Sequence, residues 1–362
     1  MPIPAEKSAP IQVLVVDDSA VVRQVMQAVL SQEPDMEVRV ASDPLIAMQK
    51  IKQLRPHVIL LDLEMPRMDG LTFLRKIMSE DPIPTLVCSG LAASGTEMAL
   101  LALDHGAVGI VTKPKLGVGE FLHESALMLI DMVRAAAPAR LRTRGTLAAA
   151  PGPRGPLPAS SRPNHSTTRP ARHGATPLNR IVAIGASTGG TEALTDILTA
   201  MPLDCPGIVI VQHMPELFTA AFAKRLNDLC QIEVKEGQDG DRIIPGRAII
   251  APGNRHLAVR CARGFYYVEV TDGPLVSRHR PSVDVLFSSV ASAAGRNATG
   301  IILTGMGNDG TRGLLEMKKA GAHTVAQDER SCIVFGMPKE AISAGAVDSV
   351  APLSRIPRLI LS

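Results

Sequence analysis

Apolar residues along this chain fall into two recurrent spacings. Short, largely β-branched runs without polar alternation occur at Ile11–Val16, Val58–Leu61, Thr85–Val87 and Ile110-Val111, and again at Ile181–Ile184, Gly207–Val211 and Gly300–Leu303. Such runs predict strands buried on both faces of a parallel sheet. Between them lie helical spacings: Val22, Val25, Met26 and Val29 recur at three and four residues and predict an amphipathic helix after the first strand. A different pattern, His256–Arg260 and Phe265–Val270 around Ala262-Arg263-Gly264, predicts a hairpin packed at a sheet edge. The fold class expected is α/β, with two doubly wound, mostly parallel-sheet units, the second carrying a small β-hairpin.

Composition changes the picture in the middle of the chain. Between Pro138 and Pro177 there are eight prolines, seven arginines and no acidic residue, with no apolar period. This predicts a Pro/Arg-rich flexible linker over 136–178, separating domains at 1–135 and 179–362. Taking +7 away from the formal net charge of +3 leaves −4 for the rest, so the basic charge belongs to the linker. The folded parts are not expected to bind nucleic acid. No apolar stretch reaches 18 residues and no signal-type amino terminus is present, so a cytoplasmic location is expected. The five cysteines have no metal-ligand spacing.

The chemistry collects at strand ends. Ile181–Ile184 runs into Gly185-Ala186-Ser187-Thr188-Gly189-Gly190, followed by a helical pattern: Gly-x-Ser-x-Gly in a strand–turn–helix setting. A Gly-rich turn with Ser187 as a helix cap, or a phosphate loop, fits the same residues. The dinucleotide pattern needs glycine at Ser187, however, and the phosphate loop needs lysine at Thr191. Two further runs end in Gln212-His213 and in Gly305-Met306-Gly307-Asn308-Asp309. Strand carboxyl ends of one parallel sheet converge, so Ser187, His213 and Asp309 can form a nucleophile, base and carboxylate set. Asp309 has a second reading, as cap of a helix over 311–320.

At the amino-terminal third, strand ends carry Asp17-Asp18, Asp62, Ser89 and Lys113. Clustered carboxylates repel unless a cation sits among them, and Mg²⁺ with oxygen ligands from Asp17, Asp18 and Asp62 is the natural solution. Asp62 is the expected phosphoryl acceptor, with Lys113 pairing with the added charge and Ser89 hydrogen-bonding to it.

Val16-Asp17-Asp18-Ser19, Leu61-Asp62-Leu63-Glu64-Met65-Pro66 and Thr112-Lys113-Pro114 resemble the receiver domain of two-component response regulators. That resemblance implies a (βα)5 fold, Mg²⁺-dependent phosphorylation of Asp62 and a cis Lys113-Pro114 bond. Ile110 stands where many receivers carry a switch aromatic. The second half is similar to the catalytic domain of chemotaxis protein-glutamate methylesterases. The matching stretches include Gly185–Gly190, Gln212-His213-Met214-Pro215, Ile250-Ala251-Pro252-Gly253, His279-Arg280-Pro281-Ser282-Val283-Asp284, Thr304–Gly310 and Phe335-Gly336-Met337-Pro338. This resemblance implies a Ser187/His213/Asp309 triad, an oxyanion contact from the Met306 N–H, Thr188 beside the nucleophile and Arg280 lining the cleft. It also implies methyl-accepting chemoreceptors as substrate, glutamine deamidation as a second activity, a chemotaxis histidine kinase as phosphodonor, and only peripheral association with membrane receptor arrays. No cofactor is expected for ester hydrolysis. The competing readings are a response regulator whose second domain only binds a partner, and an unrelated small-ester hydrolase. The Ser…His…Asp order speaks against the α/β-hydrolase version of the latter.

Overall fold

Five parallel strands, β1 (Ile11–Val16), β2 (Met36–Ala41), β3 (Val58–Asp62), β4 (Thr85–Ser89) and β5 (Gly109–Thr112), form the amino-terminal sheet in the order β2-β1-β3-β4-β5. They belong to a computed structural model that describes residues 9–65, 68–90, 93–113, 119–139, 141 and 180–362, with 93, 94 and 119–125 described by backbone alone. The expected linker therefore lies almost wholly outside the described residues, as does the Lys113-Pro114 bond. Helices α1 (Ala20–Leu30), α2 (Pro44–Gln53), α3 (Gly70–Glu80), α4 (Ala93–Asp104) and α5 (Gly119–Ala136) alternate with these strands. Local chemistry starts several of them: the side chains of Ser19, Asp43 and Asp69 accept N–H bonds at the first turns of α1, α2 and α3, and Pro44 opens α2. In α1 Met26 and Leu30 are fully buried, while Val22, Val25 and Val29 are half-buried on the same face.

The second sheet has seven strands, every pairing parallel, in the order β14-β13-β12-β6-β7-β9-β8. The strands are β6 (Ile181–Ala186), β7 (Gly207–Gln212), β8 (Glu233–Glu236), β9 (Arg247–Ile250), β12 (Ala298–Ile302), β13 (His323–Gln327) and β14 (Ser349–Ala351). One face is covered by α6 (Gly190–Leu198), α7 (Phe218–Leu229) and α11 (Ile356–Leu361), through residues such as Leu194, Phe222 and Ile360. The other lies under α8 (Val283–Ala294), α9 (Thr311–Lys319) and α10 (Met337–Ser343), with Phe287, Leu314 and Met337 buried there. Helices on both faces leave no strand face for solvent, which is why these strands read as unbroken apolar runs.

The hairpin departs from expectation. Strands β10 (His256–Ala262) and β11 (Phe265–Thr271) form a two-stranded sheet of their own and are not an edge of the large one. Leu257, Val259, Tyr266 and Val268 pack into the α8 side of the core, and the Val259 N–H donates to Ser289 Oγ on α8 at 2.8 Å. The turn is the two-residue pair Arg263-Gly264, with φ of 52° and 81°, so pairing runs one step further than the three-residue turn allowed.

The two units touch. Helix α4 packs against α6 and α7, and Ile333 from the second unit meets the core of the first. Asp104 on α4 pairs with Arg225 on α7, and Asp131 on α5 accepts from Arg278 at 2.7 Å. The Gly189 N–H donates to the Val108 carbonyl at 3.1 Å.

Candidate active site and acidic rim

In the seven-stranded sheet the chain enters at the centre with β6, moves outward to β7, places β8 at the edge and β9 between them, and then returns to the other side of β6 as β12. The strand order reverses there, and ligand crevices form at such switch points. Ser187 follows β6, His213 follows β7 and Asp309 follows β12. The register sets Ala186 beside Gln212 and Gly185 beside Ile302, so the three loops leave the sheet side by side.

His213 and Asp309 are in contact, with Nε2 to Oδ2 at 2.8 Å. Asp309 is 1% exposed and accepts three more bonds, from Ser282 Oγ (2.7 Å) and from the N–H groups of Val283 (2.7 Å) and Asp284 (3.1 Å). It therefore sits on the amino terminus of α8, where the helix favours negative charge. It does not cap α9, whose N-cap is Gly310, with φ of 92° and no side-chain cap bond. Burial by itself raises the Asp309 carboxyl, but the His213 bond and charge, with those from Ser282 and Val283, hold it down at about 2. An ionised carboxylate only accepts, so Nε2 carries the His213 proton and Nδ1 keeps its lone pair. Nδ1 is buried and meets no hydrogen-bond partner, so it is the ring atom available as a base.

Ser187 is held by its backbone. Its N–H donates to the Thr304 carbonyl (3.0 Å), and its carbonyl accepts from Gln212 Nε2 (2.9 Å), which also reaches the His213 carbonyl (3.0 Å). One glutamine thus ties the serine and histidine loops together, a role that the sequence reasoning missed; a polar residue ending a wholly buried strand beside the histidine was the available signal. Ser187 Oγ makes no bond to His213, as is common before substrate binds. The N–H groups of Thr188, which follows the serine, and of Met306, which follows Gly305, meet no acceptor among the described residues. Gly305 packs directly on it: a Cβ built there would lie 2.6 Å from Ser187 Cβ and 2.4 Å from Met337 Sδ. Gly305→Ala is expected to push the serine out of line and lower kcat by about 100-fold, while stability falls by only about 1–3 kcal/mol. Turnover and urea unfolding of the same variant check this together.

His279 stacks on His213, with ring centroids 3.8 Å apart and planes 7° from parallel. Its Nδ1 lies 2.6 Å from the Ser277 carbonyl. With Asp309, these histidines bring potential metal-ligand atoms within 4.8 Å of one another. An imidazole binds a metal in its own plane at about 2 Å, however, and two nearly parallel planes have no such point in common. Burial, with the neighbouring His213, lowers the His279 ring from 6.5 to about 3. Between those values the unfolded chain binds the extra proton, so stability rises with pH across that window. Acidification from pH 6.5 towards 3 is expected to lower unfolding free energy by up to about 1.4 kcal/mol per pH unit from this ring. His279→Gln should flatten that slope in urea unfolding; an unaltered slope would remove His279 as its source.

The Arg280 guanidinium is partly exposed and is engaged by two loops. It donates to Asn254 Oδ1 (3.1 and 2.7 Å) and to the Gly273 carbonyl (2.5 Å), tying together the loops that precede α8.

At the carboxyl rim of the first sheet, Asp17 and Asp62 are about 1% exposed, and Asp18 is exposed beside them. The potential ligand oxygens of the three lie within 4.8 Å of one another. Lys113 Nζ stands 2.7 Å from Asp62 Oδ2 and 3.4 Å from Asp17 Oδ2. Burial raises both carboxyls despite the lysine. One ammonium against three carboxylates leaves negative charge uncompensated, and the buried Asp17 and Asp62 Oδ2 atoms meet no other donor, so the donor set fits a hard cation. Ser89 is buried at the same rim with its hydroxyl turned to the Gly90 and Gly95 carbonyls, at 3.1 and 3.0 Å. Ile110 is buried in the core beneath.

Residues 13–118 match the response regulator receiver domain and residues 182–360 match CheB methylesterase. The chain is 57% identical over 351 residues to protein-glutamate methylesterase/protein-glutamine glutaminase 1 of Anaeromyxobacter dehalogenans, covering 97% of this chain and 98% of that relative. It is also 57% identical over 355 residues to the corresponding protein 2 of Pseudomonas syringae pv. tomato, covering 97% and 98%. Among solved structures, the Thermotoga maritima CheB methylesterase catalytic domain is 38% identical with a TM-score of 0.50, covering 51% of this chain and 97% of that one. Fold and site together define a response regulator whose output unit is an enzyme. The chain belongs to the CheB-type family, which joins a receiver domain to a methylesterase/glutaminase catalytic domain.

Proposed function

We propose that this chain hydrolyses glutamyl γ-methyl esters, and deamidates glutamines, on methyl-accepting chemoreceptors, with Ser187 as nucleophile and His213 Nδ1 as base. The observation that carries the reading is the His213–Asp309 bond, which leaves Nδ1 buried and unpaired. Ser187 Oγ attacks the ester carbonyl as its proton passes to Nδ1, and the Thr188 and Met306 N–H groups meet the oxyanion. The intermediate collapses, and methanol leaves with the proton returned by His213. Water then attacks the acyl-serine by the same proton route, releasing glutamate and restoring the hydroxyl. With glutamine the leaving group is ammonia. Asp309 stays ionised and stabilises the imidazolium. Arg280 supports this site as a clamp on the Asn254 and Gly273 loops. A burst of methanol ahead of steady turnover on methylated receptor, absent in Ser187→Ala, tests the acyl-serine.

In the receiver, spanning 1–135 in this reading and tethered through 136–178 to a catalytic domain over 179–362, Asp62 is the phosphoryl acceptor and a chemotaxis histidine kinase the donor. Asp17, Asp18 and Asp62 would hold Mg²⁺, which supplies positive charge to the incoming phosphoryl group. Lys113 sits within reach of that group, and Ser89 reaches it by turning its hydroxyl from the Gly95 carbonyl. Chelation with EDTA is expected to stop phosphoryl loading, with Mg²⁺ restoring it, while basal ester hydrolysis continues. Loss of basal hydrolysis in EDTA, recovered with metal, would place a metal in the ester chemistry instead. Among the described residues no helix is long and apolar enough to cross a membrane. A cytoplasmic enzyme that meets receptor arrays from the side fits that observation.

A further inference from the structure

Two ion pairs join the receiver to the catalytic half among the described residues, and they share one polarity. The receiver supplies the carboxylates, Asp104 and Asp131; the catalytic half supplies the guanidinium groups, Arg225 and Arg278. Arg278 lies in a tight turn in which Val276 and His279 exchange both backbone bonds, at 3.1 and 2.8 Å. The two central residues of that turn, Ser277 and Arg278, have φ of 51° and 64°. The turn fixes two side chains at once. His279 goes inward onto the ring of His213, and Arg278 goes outward, its side chain 68% exposed even when paired with Asp131. A cationic group is therefore held one residue from the ring that stacks on the proposed base, at the seam with the receiver.

We propose that Arg278 is a specificity residue reading acidic side chains that flank the scissile glutamyl ester, and that Asp131 on receiver helix α5 occupies it as a substrate mimic. Arg225, covered by Asp104, is a second guanidinium of the catalytic half held by a receiver carboxylate. The inference rests on the hydrolase reading proposed above and takes the receiver, whose Val108 carbonyl accepts from Gly189 beside Ser187, to repress that site; repression then works by substitution of one carboxylate for another as well as by bulk. An exposed ion pair is weak, so a carboxylate on the substrate can displace Asp131 once the receiver shifts.

The test uses the full chain loaded with acetyl phosphate and two synthetic peptides, each with one glutamyl γ-methyl ester, flanked by glutamates in one and by glutamines in the other. At low salt the glutamate-flanked peptide is expected to show a KM about two- to five-fold lower, the size expected of an exposed ion pair. Salt should erase the difference. Arg278→Gln should lose the preference with kcat on the glutamine-flanked peptide unchanged, and Arg278→Lys should keep most of it. Asp131→Asn should raise unphosphorylated activity while keeping the preference. The exchange Asp131→Arg with Arg278→Asp should restore repression but reverse the peptide preference. Equal KM for both peptides in the wild type, or a preference that survives in Arg278→Gln, overturns the proposal. Failure of acetyl phosphate to activate the wild type would instead overturn repression, and the peptide comparison reads Arg278 in either case.

Discussion

Replacing Ser187 with alanine is expected to abolish methanol release from methylated receptor, by about 10⁴-fold or more, and His213→Ala should match it, because nucleophile and base act as a unit. Near-normal turnover in Ser187→Ala would sink the serine mechanism. Asp309→Ala should cost less in turnover, since an untethered imidazole still samples the productive orientation. It carries a second cost in stability. The carboxylate accepts from His213, Ser282, Val283 and Asp284, so alanine strands buried donors at the start of α8. A loss of about 3–5 kcal/mol is expected, and urea unfolding measures it apart from turnover.

Phosphorylation of Asp62 is expected to raise the activity of the full chain about ten- to a hundred-fold, the range of a coupling free energy of about 1–3 kcal/mol. Asp62→Asn should remove that response and leave the basal rate. The Val108 carbonyl takes the N–H of Gly189, two residues beyond Ser187, and Ile333 packs against the receiver's core, so the docked receiver lies against the Ser187 turn. Added charge at Asp62 draws on Lys113 and Ser89, and it relieves the block only if the two receiver arrangements dock differently. A fragment of residues 179–362 should outpace the unphosphorylated full chain. If it proves no faster, steric repression is wrong and the receiver is a positive effector or a docking module.

The residues of both rims were legible because each stands at the end of an apolar run, and parallel strands bring their carboxyl ends together. Asp17, Asp62 and Lys113 meet for this reason, as do His213 and Asp309. His279 was not legible as part of the site, and Gln212 was marked only as a polar residue closing a buried strand. His279 reaches His213 through a turn with two left-handed residues, and Gln212 acts through bonds to two backbone carbonyls, neither of which leaves a spacing to read. Arg280, marked only by resemblance, turned out to be held by Asn254 and Gly273.

Sequence alone determined the strands β1, β3 to β7 and β12, the parallel character of the two sheets, the glycine turn at Ser187 and the residue types at each rim, because these follow from local spacing and from apolar runs that need burial on both faces. Tertiary structure decided where Asp309 spends its charge, which nitrogen of His213 is left as a base, and that the hairpin packs as a sheet of its own on α8. It also decided that receiver carboxylates meet arginines of the catalytic half. Each of these depends on contacts between residues far apart in the chain, where direction and distance in space, not order along the sequence, set the electrostatics.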